Sequence, residues 1–170
     1  GLIWVGTDDG RMHVTRDTVG SWTDLTGKAK GVPQHTWIPH IGASPHDAGT
    51  AFVVFDNHRR SDMETYVYRT SDYGAKWQRL DTKGVRGYAL AIEQDPVDPD
   101  LLYLGTEFGL FFTQDGGDNW RQLKGNFPTI SVRDIEIQRR ETDLVVGTFG
   151  RGIYILDDYS RLRTAAATIK

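Results

Sequence analysis

The sequence predicts an all-β fold, a β-propeller segment of about three and a half four-stranded blades. Two observations lead to this prediction. Apolar runs that end in Gly-Thr recur along the chain, and so does an octet that begins with Thr and ends with Trp. Glycine also accounts for 19 of the 170 residues and proline for only 6. This composition favours many short strands joined by tight turns over a helical bundle.

The spacing of these elements sets the length of the repeat. The apolar runs occupy 2–7 (LIWVGT), 101–106 (LLYLGT) and 144–148 (LVVGT). The last two Gly-Thr threonines are 42 residues apart, and the octet tryptophans Trp77 and Trp120 are 43 residues apart. Four-stranded propeller blades repeat every ~40 to 50 residues, so each repeat has the length of one blade.

The octets occupy 15–22 (TRDTVGSW), 70–77 (TSDYGAKW) and 113–120 (TQDGGDNW). Aspartate and threonine oxygens can accept backbone N–H groups across a tight turn, glycine supplies a positive φ, and tryptophan can pack against a sheet. Because the octet recurs from unit to unit, we interpret it as structural rather than catalytic. The residues assigned to these turns are Thr15, Asp17, Trp22, Thr70, Asp72, Gly74, Trp77, Thr113, Asp115, Gly117 and Trp120, with Asp157 from a degenerate fourth copy.

Strand patterns divide the chain into four units near 1–26, 36–81, 87–124 and 131–158, followed by a C-terminal tail at 161–170. The first unit lacks an inner strand and the last lacks an outer strand, so the strands are distributed three, four, four and three. The second unit is longer by about 12 residues, which we place in the polar run DNHRRSDMET. An open arc exposes strand edges, so we expect either a longer chain or self-association to cover them.

Composition and charge exclude several classes of protein. The 23 acidic and 20 basic residues give a net charge of −3, which argues against a general nucleic-acid binder. No apolar run approaches the ~20 residues of a membrane span, and the first residues do not have the pattern of a signal peptide. The chain has no cysteine, so disulfide and thiol chemistry are excluded. Because the chain starts within a strand pattern, we expect it to be a piece of a longer protein.

The octet resembles the Asp-box, or BNR repeat, of sialidases, sortilin-type sorting receptors, xyloglucanases and photosystem assembly factors. Longer segments are similar to the C-terminal part of large bacterial proteins with a sortilin-type propeller, often labelled glycosyl hydrolases. These segments are 35–60, 66–77, 95–120 and 143–158. One position departs from the pattern, because Phe149 replaces the usual histidine before Gly150 and Arg151. The resemblance implies a scaffold that binds proteins or peptides, in an extracellular or periplasmic location.

The strand order places two sets of loops on the rim opposite the octets. Arginines alternate with aromatic residues in these loops, a combination that suits carboxylates, sugars or peptide termini, although a solvated rim is the alternative interpretation. His58 lies in one of these loops. The predicted binding residues are Trp37, Arg59, Arg60, Arg86, Tyr88, Glu107, Phe108, Arg133, Phe149 and Arg151. We expect a protein or peptide ligand, with a glycan as the alternative.

A carbohydrate-active fragment is the alternative function. Glycoside hydrolysis needs two carboxyl groups roughly 5 to 9.5 Å apart, or in sialidases a tyrosine nucleophile with a glutamate and an arginine cluster. The available groups are Glu93, Glu107, Asp134, Glu136 and Tyr88, but nothing in the sequence pairs them. We expect Glu93 and Glu136 to be exposed carboxylates beside turns. No catalytic residue and no cofactor is assigned, and the five histidines lack the spacing of a metal site.

Overall fold

The computed structural model describes residues 1–125 and 127–164. These residues form fourteen strands, one 3₁₀ helix at His58–Arg60 and one short α-helix, α1, at Arg161–Thr164. The strands are β1 Ile3–Gly6, β2 Met12–Thr15, β3 Thr23–Asp24, β4 Trp37–Ala43, β5 Ala51–Asp56, β6 Tyr66–Thr70, β7 Gln78–Arg79, β8 Ala89–Gln94, β9 Leu102–Thr106, β10 Gly109–Thr113, β11 Arg121–Gln122, β12 Val132–Gln138, β13 Asp143–Thr148 and β14 Ile153–Leu156.

The strands form four antiparallel sheets in which chain neighbours pair with each other. Sheet A contains β1 to β3, sheet B contains β4 to β7, sheet C contains β8 to β11, and sheet D contains β12 to β14. Two sheets are therefore four-stranded and the two terminal sheets are three-stranded. The all-β class and the distribution of strands predicted from the sequence are confirmed.

Each hydrophobic core lies between two consecutive sheets. Strand β5 shows why, because all six of its residues are buried. Val53 belongs to the cluster that contains Met12 of sheet A, whereas Val54 belongs to the cluster that contains Leu104 of sheet C. Successive side chains of a strand point to opposite faces. A central strand of this stack is therefore apolar over most of its length, and β5 is apolar from Ala51 to Phe55.

The octet tryptophans connect each sheet to the one before it. Trp77 of sheet B packs in the cluster of Met12 and is only 9% exposed, while Trp120 of sheet C packs against sheet B and is 8% exposed. Trp77 also makes an edge-to-face contact with Trp4, with 6.1 Å between ring centroids. Trp22 of sheet A has no preceding sheet among the described residues, and it is 44% exposed.

The turns of the octets share one hydrogen-bond arrangement. The Thr70 hydroxyl donates to Asp72 Oδ1 at 2.9 Å and accepts the Gly74 N–H at 2.9 Å. Asp72 Oδ1 also accepts the Lys76 N–H at 2.9 Å. The corresponding bonds recur from Thr113 to Asp115 and from Thr15 to Asp17, at 2.6 and 2.8 Å. The threonine hydroxyl and one aspartate oxygen are therefore hydrogen-bonded within each turn.

The turn after β14 uses a different aspartate from the one assigned by sequence. Asp157 is exposed, and the hydrogen bonds lie at its neighbour. Asp158 has a positive φ of 44°, donates its backbone N–H to Asp143, and accepts the Ser160 N–H at 3.3 Å. The register of this terminal turn is thus shifted by one residue relative to the octet pattern.

The two terminal sheets each expose one apolar face. Ile3 and Val5 of β1 are exposed on sheet A, and Ile153 and Ile155 of β14 are exposed on sheet D. The alternate residues of the same strands, such as Trp4 and Tyr154, pack against the cores inside the stack. These exposed faces are the surfaces that the inner sheets bury against each other.

The C-terminal segment begins with a docked turn. Arg163 of α1 donates to both carboxylate oxygens of Asp95, at 2.9 and 3.1 Å, and the Asp95 side chain is fully buried. The predicted tail at 161–170 therefore starts with an ordered contact, and its remainder, 165–170, lies outside the described residues. In the described part of the chain, no helix has the length and apolar character that crossing a bilayer requires.

Candidate functional site

The loops opposite the octets meet at the first residues of the inner strands. Glu107, in the hairpin between β9 and β10, donates its backbone N–H to the Tyr88 carbonyl at 3.2 Å. In sheet D the Phe149 N–H donates to the Ser131 carbonyl at 2.9 Å in the corresponding place. These bonds bring the hairpin of each sheet next to the connection that enters the same sheet. Residues far apart in sequence therefore form one rim.

Three arginine–aromatic pairs repeat along this rim. The guanidinium of Arg59 lies 5.3 Å from the ring centroid of Trp37 in sheet B. Arg86 lies over Phe108 at 5.4 Å in sheet C, and Arg133 lies over Phe149 at 5.1 Å in sheet D. Each pair joins the hairpin after the second strand of a sheet to the start of its inner strand or to the loop before it. The arginine lies in the hairpin in sheet B, whereas the aromatic residue lies in the hairpin in sheets C and D. We call the surface formed by these six residues the arginine rim.

A β-bulge sets the position of Arg133. Strand β12 pairs Val132 with Thr148 and Asp134 with Gly147, so Arg133 is the extra residue of the bulge. Bulges redirect side chains and are common beside functional sites. Here the bulge places an exposed arginine over an exposed phenylalanine. A guanidinium on an aromatic face keeps its N–H donors at the edge, where they can form paired hydrogen bonds to a carboxylate.

Tyr88 stacks on His58, which connects sheets B and C on the rim. Their ring centroids are 4.3 Å apart and their planes differ by 11°. Nδ1 of His58 lies 2.7 and 2.8 Å from the two carboxylate oxygens of Asp56. The Asp56 side chain is fully buried, and the His58 side chain is 28% exposed. The hairpin between β5 and β6 thus holds the imidazole of His58 in a fixed position on the rim.

The electrostatic surroundings of Tyr88 include charged groups from three sheets. Burial raises the pKa of the Tyr88 phenol, and the negative charges of Glu107 and Asp56 raise it further, while Arg133 acts in the opposite direction. The phenol is therefore neutral at physiological pH and can donate a hydrogen bond. A tyrosinate nucleophile is disfavoured at this position.

The other predicted rim residues have different roles in the structure. Arg60 donates to the Gln34 carbonyl at 2.7 Å, which ties the long hairpin of sheet B to the connection from sheet A. Arg151 is exposed in the hairpin between β13 and β14. Glu107 is half-buried beside the Phe108 pair.

Beside the Arg60 contact, the rim contains a cavity of about 380 Å³ between sheets A and B. Its apolar wall includes Met12, Val32 and Phe55, and its mouth includes Arg11 and His35. Ligand pockets typically measure 300 to 1,000 Å³, so this cavity could hold a small ligand or one large side chain. It depends on the path of the connection at 25–36, which the sequence does not reveal.

Glu93 differs from its predicted environment. The sequence analysis expected an exposed carboxylate beside a turn, but Glu93 is largely buried. Burial raises its pKa to about 7, and the negative charge of Glu136 adds to this effect. His40, on the neighbouring inner strand, accepts the Ile92 N–H at Nδ1 at 3.2 Å, and burial lowers its pKa. Glu136 is exposed, as expected.

Glu93 and His40 lie on the inner strands β8 and β4, and their acidic neighbours lie on β12. Across the described ranges, 1–125 and 127–164, no group of three or more His, Asp or Glu side chains has the geometry of a metal site. The inner-strand acids are therefore a titratable cluster, distinct from the arginine rim.

Comparison with known proteins identifies the fold. No protein-family model matches the chain. An oligoxyloglucan-reducing end-specific xyloglucanase of Emericella nidulans is 32% identical over 108 residues, which are 62% of this chain and 13% of the relative. The vacuolar protein sorting/targeting protein 10 of Ajellomyces capsulatus is 30% identical over 94 residues, which are 55% of this chain and 6% of the relative. The chain thus spans a small part of each curated relative.

Solved structures resemble nearly the whole chain. The GH74 xyloglucanase of Xanthomonas campestris superposes with a TM-score of 0.72 at 18% identity, over 95% of this chain and 28% of that structure. YCF48 bound to D1 peptide superposes with a TM-score of 0.62 at 15% identity, over 93% of this chain and 48% of that structure. At these identities the likeness establishes the fold. The chain is a β-propeller segment, and the predicted fold class is confirmed.

Proposed function

We propose that this chain is part of a sortilin-like Asp-box propeller that binds protein or peptide ligands through the arginine rim, without catalytic activity of its own. The observation that carries the proposal is the threefold repeat of an arginine over an aromatic ring at equivalent loops of sheets B, C and D. Together these pairs offer an extended surface of guanidinium donors and flat apolar rings. Arginine and aromatic residues are the types that dominate binding energy at protein interfaces.

The octets support the Asp-box part of the proposal. Their carboxylates and hydroxyls are hydrogen-bonded inside the turn, and Trp77 and Trp120 are buried between sheets. Because these groups bond within the turn that contains them, a role in the architecture accounts for their repetition. We therefore assign the octets to the architecture and the opposite rim to binding.

Two of the similar proteins support the binding function and the sortilin-like assignment. YCF48 has been solved with a bound D1 peptide, so a propeller of this fold can hold a peptide. The similarity to vacuolar protein sorting/targeting protein 10 agrees with the sortilin-like assignment. The extracellular or periplasmic location is a proposal from the Asp-box resemblance. Fractionation of the source cells tests that location. Recovery of the protein in the cytosolic fraction would contradict it.

We further propose that the units near 1–26, 36–81, 87–124 and 131–158 are blades of one propeller. The exposed apolar faces of sheets A and D then dock further blades, supplied by a longer chain or by a second copy. Sedimentation of the 170-residue chain distinguishes these sources. Association that is lost when Ile153 and Ile155 are changed to Asp would favour a second copy.

Selection from a displayed library of random dodecapeptides tests the binding function. We expect the chain to enrich peptides, and we expect the triple change Arg59→Ala, Arg86→Ala and Arg133→Ala to weaken their binding about 100-fold or more. Arg16→Ala is the matched control, because Arg16 lies over the Tyr73 ring at 4.8 Å within the octets. Equal binding by the triple variant, or no enrichment at all, would overturn the proposal.

A glycoside hydrolase fragment is the second candidate function. It is favoured by the convergence of Tyr88, Glu107 and Arg133, the residue types that a tyrosine-dependent sialidase requires, and by the xyloglucanase relatives. The raised pKa of Tyr88 argues against it. So does the position of Glu93, five residues along the chain from Tyr88 and therefore about 16 Å from the place where Glu107 is bonded to the Tyr88 carbonyl, because paired carboxylates lie closer together. Turnover of xyloglucan oligosaccharides or aryl glycosides that is abolished by Glu107→Gln would replace the binding proposal.

A further inference from the structure

We propose that Asp56 and His58 form a carboxylate-binding contact on the arginine rim, in which His58 touches an acidic peptide and Asp56 positions its ring. The inference rests on the proposed peptide-binding function and names the chemical class of the ligand. Neither residue was among the predicted binding residues, although His58 was placed in a rim loop. Three observations support this contact: the hydrogen bonds between Asp56 and His58, the stacking of His58 on Tyr88, and the charges of the rim.

The hydrogen bonds of Asp56 define the tautomer of His58. Both Asp56 oxygens lie within 2.8 Å of Nδ1, and Oδ1 also accepts the His58 backbone N–H at 2.9 Å. An ionised carboxylate only accepts hydrogen bonds, so Nδ1 carries a proton. Nε2 is then the nitrogen left for a ligand, as an acceptor in the neutral ring and as a donor in the protonated ring. Because the Asp56 side chain is fully buried, water does not compete for these bonds.

The ring plane of His58 is fixed by Tyr88. The stacked phenol, 4.3 Å away and nearly parallel, covers one face of the imidazole. Asp56 holds one edge, and 28% of the side chain is left exposed. A group held in this way loses little conformational entropy when a ligand binds, which is the advantage of a preorganised contact.

The charges around His58 determine which ligand suits it. Asp56 faces it from the end of β5, and Tyr88 faces it from the connection to β8, with Glu107 and Arg133 in the surroundings of the phenol. The hairpin that contains His58 also contains Arg59 and Arg60, and the rim continues with Arg86 and Arg151. The same hairpin contains two acids that already have partners, because Asp62 accepts hydrogen bonds from Asn57 and Tyr66 and Glu64 pairs with Arg79. The arginines outnumber the remaining acids around His58, which are Asp56 and Glu107, so an anionic segment fits this surface.

Protonation of His58 strengthens such a contact. A protonated ring donates from Nε2 to a ligand carboxylate, whereas a neutral ring presents a lone pair that repels it. Histidine changes charge between pH 5 and 8, a range in which glutamate side chains stay ionised. Tyr88 stays neutral throughout this range because its pKa is raised. Acidic peptides should therefore bind more tightly as the pH falls from 8 to 5.5.

Fluorescence anisotropy with a fluorescein-labelled hexaglutamate peptide tests the inference at constant ionic strength. We expect the chain to bind about tenfold more tightly at pH 5.5 than at pH 8, because a hydrogen bond to a charged group contributes about that factor. His58→Gln should remove this pH response. Asp56→Asn should reduce it, and ¹⁵N spectra of the variant should show loss of the exclusive Nδ1–H tautomer of His58.

Two control variants separate the effect of His58 from the effects of two other titratable groups. Glu93→Gln removes the carboxyl whose pKa of about 7 falls in the same range, and its pH response should match that of the unchanged chain. His13→Gln removes a histidine 3.8 Å from Asp24 in sheet A, outside the rim, and should also have no effect. A response that disappears with Glu93→Gln would overturn the inference.

The remaining outcomes distinguish this inference from the proposed function. Binding that keeps its full pH response in His58→Gln overturns the contact and leaves peptide binding by the arginines in place. No binding at any pH overturns the acidic ligand, while enrichment of other peptides from the library would still support the proposed function. If circular dichroism shows that the variants unfold, NMR of the unchanged chain tests the contact instead, because the ring resonances of His58 should shift when the peptide is added. Their failure to shift during titration with the peptide overturns the inference.

Discussion

The octet turns and the arginine rim lie at opposite ends of the same strands, and both repeat from sheet to sheet. In the octets, the threonine hydroxyl and one aspartate oxygen are hydrogen-bonded within the turn. Asp17 illustrates this, because the Ser21 N–H and then the Thr15 hydroxyl lower its pKa to about 2. On the arginine rim, the guanidinium of Arg86 rests on the ring of Phe108 with its N–H donors at an exposed position.

The difference shows how to separate architecture from binding in a repeat protein. A repeated polar group that is fully hydrogen-bonded within its own turn stabilises the unit that contains it. A repeated cation supported only by an aromatic face remains available to an external partner. Changes at the octets should therefore alter stability, whereas changes at the arginine rim should alter binding.

The largest effect is expected for the octet tryptophans. Trp120→Ala should lower the free energy of unfolding by about 3 to 5 kcal/mol, because it removes a buried ring from the core between sheets B and C. Trp22→Ala is the matched control, since this ring is 44% exposed, and it should cost about 1 kcal/mol. Urea unfolding measures both. Equal losses would show that the tryptophans do not act through burial.

The next effect compares glycines from the two ends. Gly74 has a φ of +82°, and a Cβ there would lie 2.4 Å from Leu25 Cδ1. Gly74→Ala should therefore cost about 2 to 4 kcal/mol through backbone strain and overpacking. Gly84 has a φ of +87° but nothing within 4 Å of a Cβ, so Gly84→Ala should cost about 1 kcal/mol. Thermal unfolding of both variants gives the comparison, and a larger loss at Gly84 would contradict it.

The third prediction compares the buried carboxylate of Glu93 with the hydrogen-bonded carboxylates of the octets. The described residues provide Glu93 with no hydrogen bond, and burial raises its pKa from 4.5 to about 7. Below pH 4.5 Glu93 is protonated in both the folded and the unfolded state. As the pH rises from 4.5 to 7 the free energy of unfolding falls, because the unfolded state ionises Glu93 while the buried group stays protonated, and the loss is complete above the folded pKa of about 7.

Glu93→Gln should accordingly stabilise the fold by about 2 kcal/mol at pH 8 and have little effect at pH 4. Urea unfolding at the two pH values measures this difference. Glu136→Gln serves as the control, since Glu136 is exposed. A gain of equal size at both pH values would exclude titration of Glu93 as the cause.

The smallest effect on stability is expected at the arginine rim. Arg86→Ala and Arg133→Ala should each change the free energy of unfolding by no more than about 0.5 kcal/mol, because both side chains are exposed. The same variants should weaken peptide binding. Chemical denaturation of the variants measures the first quantity, and losses above about 2 kcal/mol would assign these arginines to the architecture instead.

The octets and strands could be predicted from the sequence because their determinants are local. The Thr70 to Asp72 bond and the positive φ of Gly74 lie within eight residues of one another, and the alternation of β5 side chains between two cores follows from the period of a strand. The rim residues could also be named from strand order. Which arginine would lie on which ring could not be predicted, since the bulge at Arg133 sets its direction.

The environments of Asp56, His58 and Glu93 required the tertiary structure. His58 stacks on Tyr88, which is 30 residues away in the sequence, and Glu93 is surrounded by acids from another sheet. The sequence signal for the contact between Asp56 and His58 was an aspartate at the end of an apolar strand, two residues before a histidine. The pattern alone could not show that the aspartate would be buried.

The sequence by itself determined the repeat, the octet turns and the order of the strands, because hydrogen bonds within a turn and side-chain alternation depend on neighbouring residues. Only the tertiary structure decided which side chains meet at the arginine rim, how Asp56 fixes His58, and why Glu93 is hard to ionise. These properties arise where separate sheets pack together. The packing brings charges and rings from distant segments into contact and removes them from water.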